Sequence, residues 1–149
     1  MRAVLTRVSE ASVAIGGEVC GRIGRGFLIL LGVGPADTPA DCDKLADKAL
    51  GLRIFSDSQG KMNLSLADVG GEVLVVSQFT LYGDCRKGRR PSFTGAAGPD
   101  TAVPLYERFL ENCRAHGFEP QHGAFGADMA VSSINDGPVT LILDTDDWR

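Results

Sequence analysis

Two short polar segments carry the residues that could do chemistry in this chain. In the first, Ser77, Gln78 and Thr80 surround Phe79 and come directly after a strongly apolar run. Three hydrogen-bonding side chains at the end of a buried strand could bind a substrate there. Spacing alone favours a simpler explanation, in which the strand leaves the core and these polar groups cap nearby backbone, because serine and threonine often bond to local main chain.

The second segment, residues 135–140, reads Asn-Asp-Gly-Pro-Val-Thr and lies between two apolar stretches. Glycine tolerates backbone angles that other residues avoid, and proline fixes φ and lacks an N–H. A cis Gly137–Pro138 bond would point neighbouring carbonyls in one direction and make a pair of acceptors, but only about 5% of X–Pro bonds in folded proteins are cis. On spacing alone, a plain hairpin turn is the favoured interpretation.

Other kinds of active site are not indicated. The chain lacks the Gly-x-Ser-x-Gly nucleophile turn, the His-Glu-x-x-His metal motif and the phosphate-binding loop. His116 fits the end of a helix, where its charge suits the dipole, and His122 has no nucleophile motif beside it. The four cysteines are far apart and include no Cys-x-x-Cys pair. We therefore expect no metal, no cofactor and no conventional serine or cysteine triad.

One loop concentrates positive charge in a chain whose net charge is −4. Residues 86–90 read Arg-Lys-Gly-Arg-Arg, so four of the 15 basic residues fall within this loop. The negative total speaks against a general nucleic-acid binder, since phosphate affinity comes from clustered lysine and arginine. This basic loop, followed by Phe93, could still hold a phosphate and a stacked base at one place. A merely solvated surface loop is an equally good explanation.

The elements that must position these segments follow from hydrophobic periodicity. Strands are predicted at residues 3–15, 18–23, 27–33, 53–55, 72–81, 129–134 and 139–144, with residues 61–66 ambiguous. One helix begins after the N-cap Thr38, with Pro39 at its first position, and ends near residues 50–53. A second helix spans residues 101–116. This order predicts an α/β fold with mixed, largely antiparallel sheets and two main helices.

Length and composition are those of one ordinary globular domain, residues 1–149. Hydrophobic residues make up 44% of the chain and charged residues 23%, which excludes disordered and fibrous classes. The longest apolar run, residues 27–33, is far shorter than the roughly 18 residues of a membrane span. The N-terminus has no signal-peptide pattern. We therefore expect a cytoplasmic protein.

Five segments resemble the D-aminoacyl-tRNA deacylase family in their order and position. They are residues 1–9, 61–65, 77–82, 86–93 and 135–140, and together they extend over nearly the whole chain. The pair Ser-Gln-x-Thr and Asn-x-Gly-Pro-x-Thr is the specific part of the resemblance. Gly83 and Cys85 depart from it, since many relatives have alanine and threonine there, which concerns the shape of the loop. The resemblance implies one domain layered α/β/β.

The resemblance also implies a homodimer with shared active sites. Gly137 and Pro138, joined by a cis bond in the family, would reach into the partner's site and present main-chain carbonyls to the α-amino group of the amino acid. An L side chain would collide with this wall, whereas a D side chain would point away. Glycine has no side chain to collide, so glycyl-tRNA would also be admitted. Arg7 would brace the turn, and Asn135 and Thr140 would hold its shape.

The remaining site residues are likewise implied by the resemblance. Ser77, Gln78, Phe79 and Thr80 would form the pocket floor, with backbone N–H groups near Phe79 and Thr80 stabilising the oxyanion. A ribose hydroxyl of the terminal adenosine would help to activate the water, so no triad is needed. Two residues near the pocket would be Phe125 and Met129. The acceptor end of the tRNA would contact the basic loop through Arg86, Lys87, Arg89 and Arg90.

Three alternatives remain open at this point. A non-catalytic tRNA-binding module with the same fold would bind charged and uncharged tRNA alike. A hydrolase that uses Thr80 or Ser77 as a covalent nucleophile on small esters would show burst kinetics and need no tRNA. A stand-alone editing domain of similar fold would act on an L-aminoacyl-tRNA and would suit a trans Gly–Pro bond.

Overall fold

The chain folds into eight strands and two α-helices, described for residues 1–149 by a computed structural model. The elements are β1 (Arg2–Ile15), β2 (Glu18–Ile23), β3 (Gly26–Gly32), α1 (Pro39–Gly51), β4 (Phe55–Ser56), β5 (Met62–Leu64), β6 (Glu72–Ser77), α2 (Pro99–Ala115), β7 (Gln121–His122) and β8 (Ala130–Asp144). Two short 3-10 turns lie at Phe79–Tyr82 and Thr145–Trp148. Neither α-helix has both the length and the apolar character needed to cross a bilayer.

β1 organises the main sheet because both of its edges are paired. Along one edge its first half pairs with β3 and its second half with β2, and along the other edge it pairs with β8, always antiparallel. Beyond β3 the sheet continues through β6 and β7 as parallel strands. β2 curls toward β7, so that a Cβ on Gly21 would lie 3.1 Å from the carbonyl oxygen of His122. The predicted α/β class, with a mixed, largely antiparallel sheet and two main helices, is confirmed.

Alternation along the strands gives the sheet two apolar faces. One face packs against α1 and α2 and forms the larger core, with Leu5 and Ile29 from the strands and Leu45 and Phe109 from the helices. The opposite face forms a smaller cluster inside the curled sheet, where Leu28 of β3 and Leu74 of β6 meet residues of β1 and β2. The two helices therefore form one layer against one face of the sheet. The sheet curls over its other face, so that its two ends enclose the smaller cluster.

Local sequence signals produce the turns and caps that they predict. Gly16 and Gly17 have φ angles of 57° and 82°, which two-residue hairpin turns require, and they join β1 to β2. At the start of α1 the Thr38 hydroxyl accepts from the Asp41 N–H, and the Asp41 carboxylate accepts from the Thr38 N–H. This capping box and Pro39 fix where the helix begins.

The structure differs from the predicted strands at three places that precede β8 in the chain, as well as in β8 itself. The strand expected over residues 72–81 ends at Ser77, because the chain turns into the 3-10 segment Phe79–Tyr82. The strand expected at residues 53–55 is β4, which begins only at Phe55, since the carbonyl of Ile54 accepts from a side chain instead of a neighbouring strand. β7 was not predicted, because a two-residue strand leaves no periodicity to detect.

Candidate active site

The segment Ser77–Thr80 lies where β6 leaves the sheet. Ser77 is the last residue that pairs with β3, opposite Leu31, and the Gln78 N–H still donates to the Leu31 carbonyl at 2.8 Å. The chain then forms the 3-10 turn that begins at Phe79. The first N–H groups of such a turn have no acceptor within it. Phe79 and Thr80 are both exposed residues, and neither of their N–H groups donates a backbone hydrogen bond in this turn.

Arg2 and Tyr82 hold the far end of this turn in place. The Arg2 guanidinium donates to the carbonyl of Leu81 at 3.1 Å, pairs with the Asp144 carboxylate at 2.7 Å, and lies 4.4 Å from the centre of the Tyr82 ring. The hydrogen bond that Arg2 donates to the Asp144 carboxylate raises the pKa of Arg2. Burial, together with the charge of Asp37, raises the pKa of Tyr82. The turn is therefore fixed by β1 and the end of β8.

Two clefts open on either side of Ser77, Gln78 and Phe79. The smaller, of about 60 Å³, is mostly apolar and is lined on its far side by Tyr106 of α2 and by Phe125. The larger, of about 230 Å³, is lined on its far side by Asp128 and Met129, among others. The structure thus brings Phe125 and Met129, the two predicted pocket residues, to the same place as Ser77–Phe79.

The ionisable groups of these clefts are few. Burial raises the pKa of Tyr106 to about 12, so its hydroxyl keeps its proton at neutral pH. The Thr80 hydroxyl accepts a hydrogen bond from the Gln78 side-chain amide, a donor that cannot remove a proton. The exposed carboxylate of Asp128 is the only acidic side chain that lines either cleft, and no histidine does so. Asp128 is a possible proton acceptor that the sequence analysis did not identify.

The Asn135–Thr140 segment is an excursion within β8, and the hairpin interpretation is wrong. Thr140 pairs with Thr6 and Asn135 pairs with Val8, so both flanks lie along the same strand, and the intervening residues face Arg7 alone. The two strands predicted at residues 129–134 and 139–144 are therefore one strand, β8. The Gly137–Pro138 peptide bond is cis. Spacing cannot distinguish a hairpin from such an excursion, since both need two apolar flanks.

The side chains of Asn135 and Arg7 hold the excursion in place, Asn135 at its base and Arg7 from its buried side. The Asn135 side chain donates to the Thr140 hydroxyl and accepts from the Val139 N–H, both at 2.8 Å. Arg7, only 9% exposed, donates to the carbonyl of Asp136 at 2.8 Å and to that of Ile54 at 2.6 Å. One guanidinium thereby joins the excursion to the residue that precedes β4, and the outer surface of the excursion stays open to solvent.

Within one chain the two motifs lie far apart. Ser77 lies opposite Leu31, which lies opposite Ala3, whereas Gly137 faces Arg7. Four residues along β1 and three strand spacings across the sheet each amount to roughly 13–14 Å. The separation is therefore on the order of 20 Å, too far for both motifs to touch one amino acid in the same chain.

The basic loop is closed at its base like a hairpin, and its cations differ in whether they form an ion pair. Asp84 and Ser92 exchange two backbone hydrogen bonds of 2.7 and 3.0 Å at its base. Arg86 makes a bidentate pair with the Asp84 carboxylate, at 2.7 and 2.8 Å. Hydrogen bonds from Arg86 hold the pKa of Asp84 far below its ordinary value. Three cations of the loop make no ion pair, namely Lys87, Arg89 and Arg90.

Sequence reasoning missed the residues that support the site. Arg2 and Asp144 are at opposite ends of the chain and meet only because β1 pairs with β8. Tyr82 belongs to a recognised segment, but its position beneath Arg2 has no signal in the spacing. Arg2 fits the alternation of polar and apolar residues along β1, and any half-buried strand would show the same alternation.

Comparison with known proteins agrees with this architecture. Residues 4–144 match the family model described as D-Tyr-tRNA(Tyr) deacylase. Two relatives named D-aminoacyl-tRNA deacylase, from Desulfitobacterium hafniense and Thermotoga petrophila, are 56% and 59% identical and cover 98% and 97% of both chains. A solved structure titled c-Myc DNA Unwinding Element Binding Protein is 42% identical, with a TM-score of 0.90 over 97% of this chain and 98% of that one. The chain therefore belongs to the D-Tyr-tRNA(Tyr) deacylase family.

Proposed function

We propose that this chain hydrolyses the ester bond of D-aminoacyl-tRNA to free D-amino acid and tRNA, and that it spares L-aminoacyl-tRNA. The observation that carries the proposal is the 3-10 turn at Phe79–Tyr82, whose first N–H groups have no acceptor within the turn and lie between two clefts. Membership of the deacylase family supplies the substrate class. We take residues 1–149 as one deacylase domain and the cytoplasm, where aminoacyl-tRNA is used, as its location.

The reaction needs little chemistry from protein side chains. Water attacks the ester carbonyl, the carbonyl oxygen becomes an oxyanion, and the ribose oxygen leaves with a proton. N–H groups of Phe79 and Thr80 would stabilise the oxyanion, at about 3–4 kcal/mol for a donor of this kind. A ribose hydroxyl of the terminal adenosine would help to activate the water. This assignment is supported by the hydrogen bond from Gln78 to the Thr80 hydroxyl, which leaves Thr80 without a base. We expect hydrolysis to persist when divalent metals are chelated.

The Gly137–Pro138 excursion of a second copy of the chain would distinguish the D from the L form of the bound amino acid. Both residues are exposed, and they lie on the order of 20 Å from Ser77 of their own chain, so only another copy could bring them to the ester. Main-chain carbonyls of the excursion would bind the α-amino group and exclude an L side chain by collision. Glycyl-tRNA would pass this filter, because glycine has no side chain.

The surface around β8 supports such a homodimer. β8 pairs only with β1, so its outer edge is free, and Ile134 and Ile142 on it are 54% and 77% exposed. Exposed apolar side chains on a long edge strand are typical of a surface that another chain covers. A two-fold axis would make the contact self-complementary and would complete both active sites at once.

Subunit sharing predicts complementation between two inactive variants. When Gly137→Ala and Phe79→Pro chains are co-expressed with different affinity tags, each purified heterodimer should contain one intact site and one doubly altered site. We expect about half of the wild-type activity per dimer, although each homodimer is nearly inactive. Heterodimers as inactive as the parents would show that both motifs serve the site of the same chain.

A second prediction separates positioning from covalent or general-base catalysis. Thr80→Ala should keep measurable hydrolysis of D-tyrosyl-tRNA, within about tenfold of the wild type, because the backbone N–H groups remain. Asp128→Asn should do the same, since the proposed proton acceptor is on the substrate. Single-turnover rates measure both variants. Complete inactivity of Thr80→Ala with normal tRNA binding would indicate a nucleophile, and inactivity of Asp128→Asn would indicate a general base.

A third prediction concerns the basic loop, which would contact the acceptor end of the tRNA. Alanine at Arg89 or Arg90 should weaken tRNA binding and reduce the slope of log Kd against log salt by up to about 1 each. Arg86→Ala should have the smallest effect on that slope, because Asp84 already neutralises this charge. Equal slopes for these three alanine variants would contradict the unequal charges seen in the loop.

A further inference from the structure

Phe79 and Phe93 form an exposed aromatic pair at the entrance to the site. Their ring centres are 5.3 Å apart with an interplanar angle of 78°, an edge-to-face arrangement. Phe79 is 56% and Phe93 38% exposed, so the pair keeps substantial ring surface in solvent. Neighbouring large apolar side chains that stay exposed mark a binding surface more often than isolated ones do.

The position of Phe93 is fixed by the base of the basic loop. Phe93 follows Ser92, whose two backbone hydrogen bonds to Asp84 close the loop, and its ring packs directly against Gly83, where a Cβ would lie 3.0 Å from the ring. An open groove of about 780 Å³ is lined by its neighbours Gly83 and Thr94 and by Arg86, among others. Phe93 therefore lies between the ester-binding turn and the three unpaired cations.

Charge and shape together favour one kind of occupant. Aromatic faces next to lysine and arginine are how proteins hold single-stranded nucleic acid, with bases stacked on the rings and phosphates on the cations. Lys87, Arg89 and Arg90 make no ion pair, so the loop offers positive charge without a protein partner of its own. A partner protein with an apolar surface would leave these three cations without a counter-charge.

We propose that Phe93 is a stacking platform for the base of the nucleotide that precedes the terminal adenosine of the tRNA. The inference rests on the proposed function, which puts the ester-bearing nucleotide at the N–H groups of Phe79 and Thr80. The Phe93 ring centre lies 5.3 Å from that of Phe79, and Phe93 follows the base of the basic loop, so a strand that runs from the turn to the loop can stack a base on it. Stacking tolerates any base, so this contact binds the single-stranded end without reading its sequence.

The test is equilibrium binding of an uncharged RNA minihelix with a single-stranded 3′ end, either intact or abasic at the penultimate position. Phe93→Leu keeps an apolar side chain of similar size and removes the aromatic face. Wild-type protein should bind the abasic RNA about tenfold more weakly than the intact RNA. Phe93→Leu should bind the intact RNA about tenfold more weakly and should lose nothing more on the abasic RNA. Val19→Ala, an exposed apolar position on β2, is the matched control and should bind both RNAs as the wild type does.

Equal losses on intact and abasic RNA in the Phe93→Leu protein would overturn the proposal, since Phe93 would then only shape the loop. Wild-type affinity of Phe93→Leu for intact RNA, or no binding of the minihelix by wild-type protein, would overturn it as well. Because the RNA is uncharged, these results do not depend on ester hydrolysis. A protein that binds with this base dependence but fails to hydrolyse D-tyrosyl-tRNA would refute the proposed function and leave the stacking site in place.

Discussion

Gly137→Ala is expected to lower the rate of D-tyrosyl-tRNA hydrolysis by about a hundredfold or more while the protein stays folded. Gly137 has a φ of 140°, a conformation that L side chains rarely adopt. A Cβ there would lie 2.8 Å from Cγ2 of Val139 and 3.0 Å from Nη2 of Arg7. The excursion would have to move, and a shift of about 1 Å in a positioning group can cost a factor of 10².

The added methyl group would act on the excursion itself and not on the substrate pocket. A methyl group beside the substrate amine would act by occupying the pocket, whereas the structure directs the methyl inward, against the side chain that braces the excursion. The strain should therefore also reduce the free energy of unfolding, by about 1–3 kcal/mol. Urea denaturation measures that loss, and single-turnover kinetics measure the activity.

Gly60→Ala supplies the matched control for this strain. Gly60 also has a positive φ, of 76°, but a Cβ there would meet nothing within 4 Å, and it lies in the turn between β4 and β5. We expect unchanged hydrolysis and a smaller loss of stability than in Gly137→Ala, because only the backbone conformation is strained at Gly60. Wild-type rates in Gly137→Ala would refute the assignment of the excursion to the active site.

Phe79→Pro should lower kcat by a factor of about 10²–10³ relative to Phe79→Ala. Both variants lack the aromatic ring, so their difference isolates the backbone N–H that proline removes. The first position of the 3-10 turn suits proline, because its N–H has no acceptor within the turn. Gln78, with ψ of 77°, is outside the helical region that a following proline disfavours.

The comparison is made at saturating D-tyrosyl-tRNA, where kcat reports the bound complex. Circular dichroism and thermal melts of the two variants should agree within a few degrees, since residues 79 and 80 lie at the surface. If proline and alanine at position 79 gave the same kcat, the N–H of Phe79 would not be the oxyanion donor, and the chemistry would have to be assigned to other groups.

Elements with local causes could be predicted from the sequence. The β1–β2 hairpin follows from Gly16-Gly17, and the start of α1 follows from the capping box of Thr38 and Asp41. β3 and β6 follow from two short apolar runs, at residues 27–33 and 73–76, and they pair as parallel strands. In each case the residues that decide the conformation are neighbours in the chain.

Features that depend on distant pairing could not be predicted in this way. The Gly137–Pro138 excursion looks like a hairpin until β1 is seen to pair with both of its flanks. The end of β6 at Ser77 depends on Arg2 and Tyr82, which hold the next turn, and the Arg2–Asp144 pair joins residues from opposite ends of the chain. Periodicity contains no information about such contacts. Family resemblance was needed to single out Gly137 and Pro138, and it assigned no role to Arg2, Tyr82 or Asp144.

The handedness filter is tested most directly by the purified protein acting on D-tyrosyl-tRNA and L-tyrosyl-tRNA in parallel, with divalent metals chelated. The two esters are diastereomers that differ only at the α-carbon, and the spontaneous hydrolysis of each is measured without protein, so a difference in rate above these backgrounds comes from the protein. We expect rapid release of D-tyrosine and no acceleration for the L ester above its spontaneous hydrolysis. Hydrolysis of the L ester at a comparable rate, or of neither ester, would contradict the account.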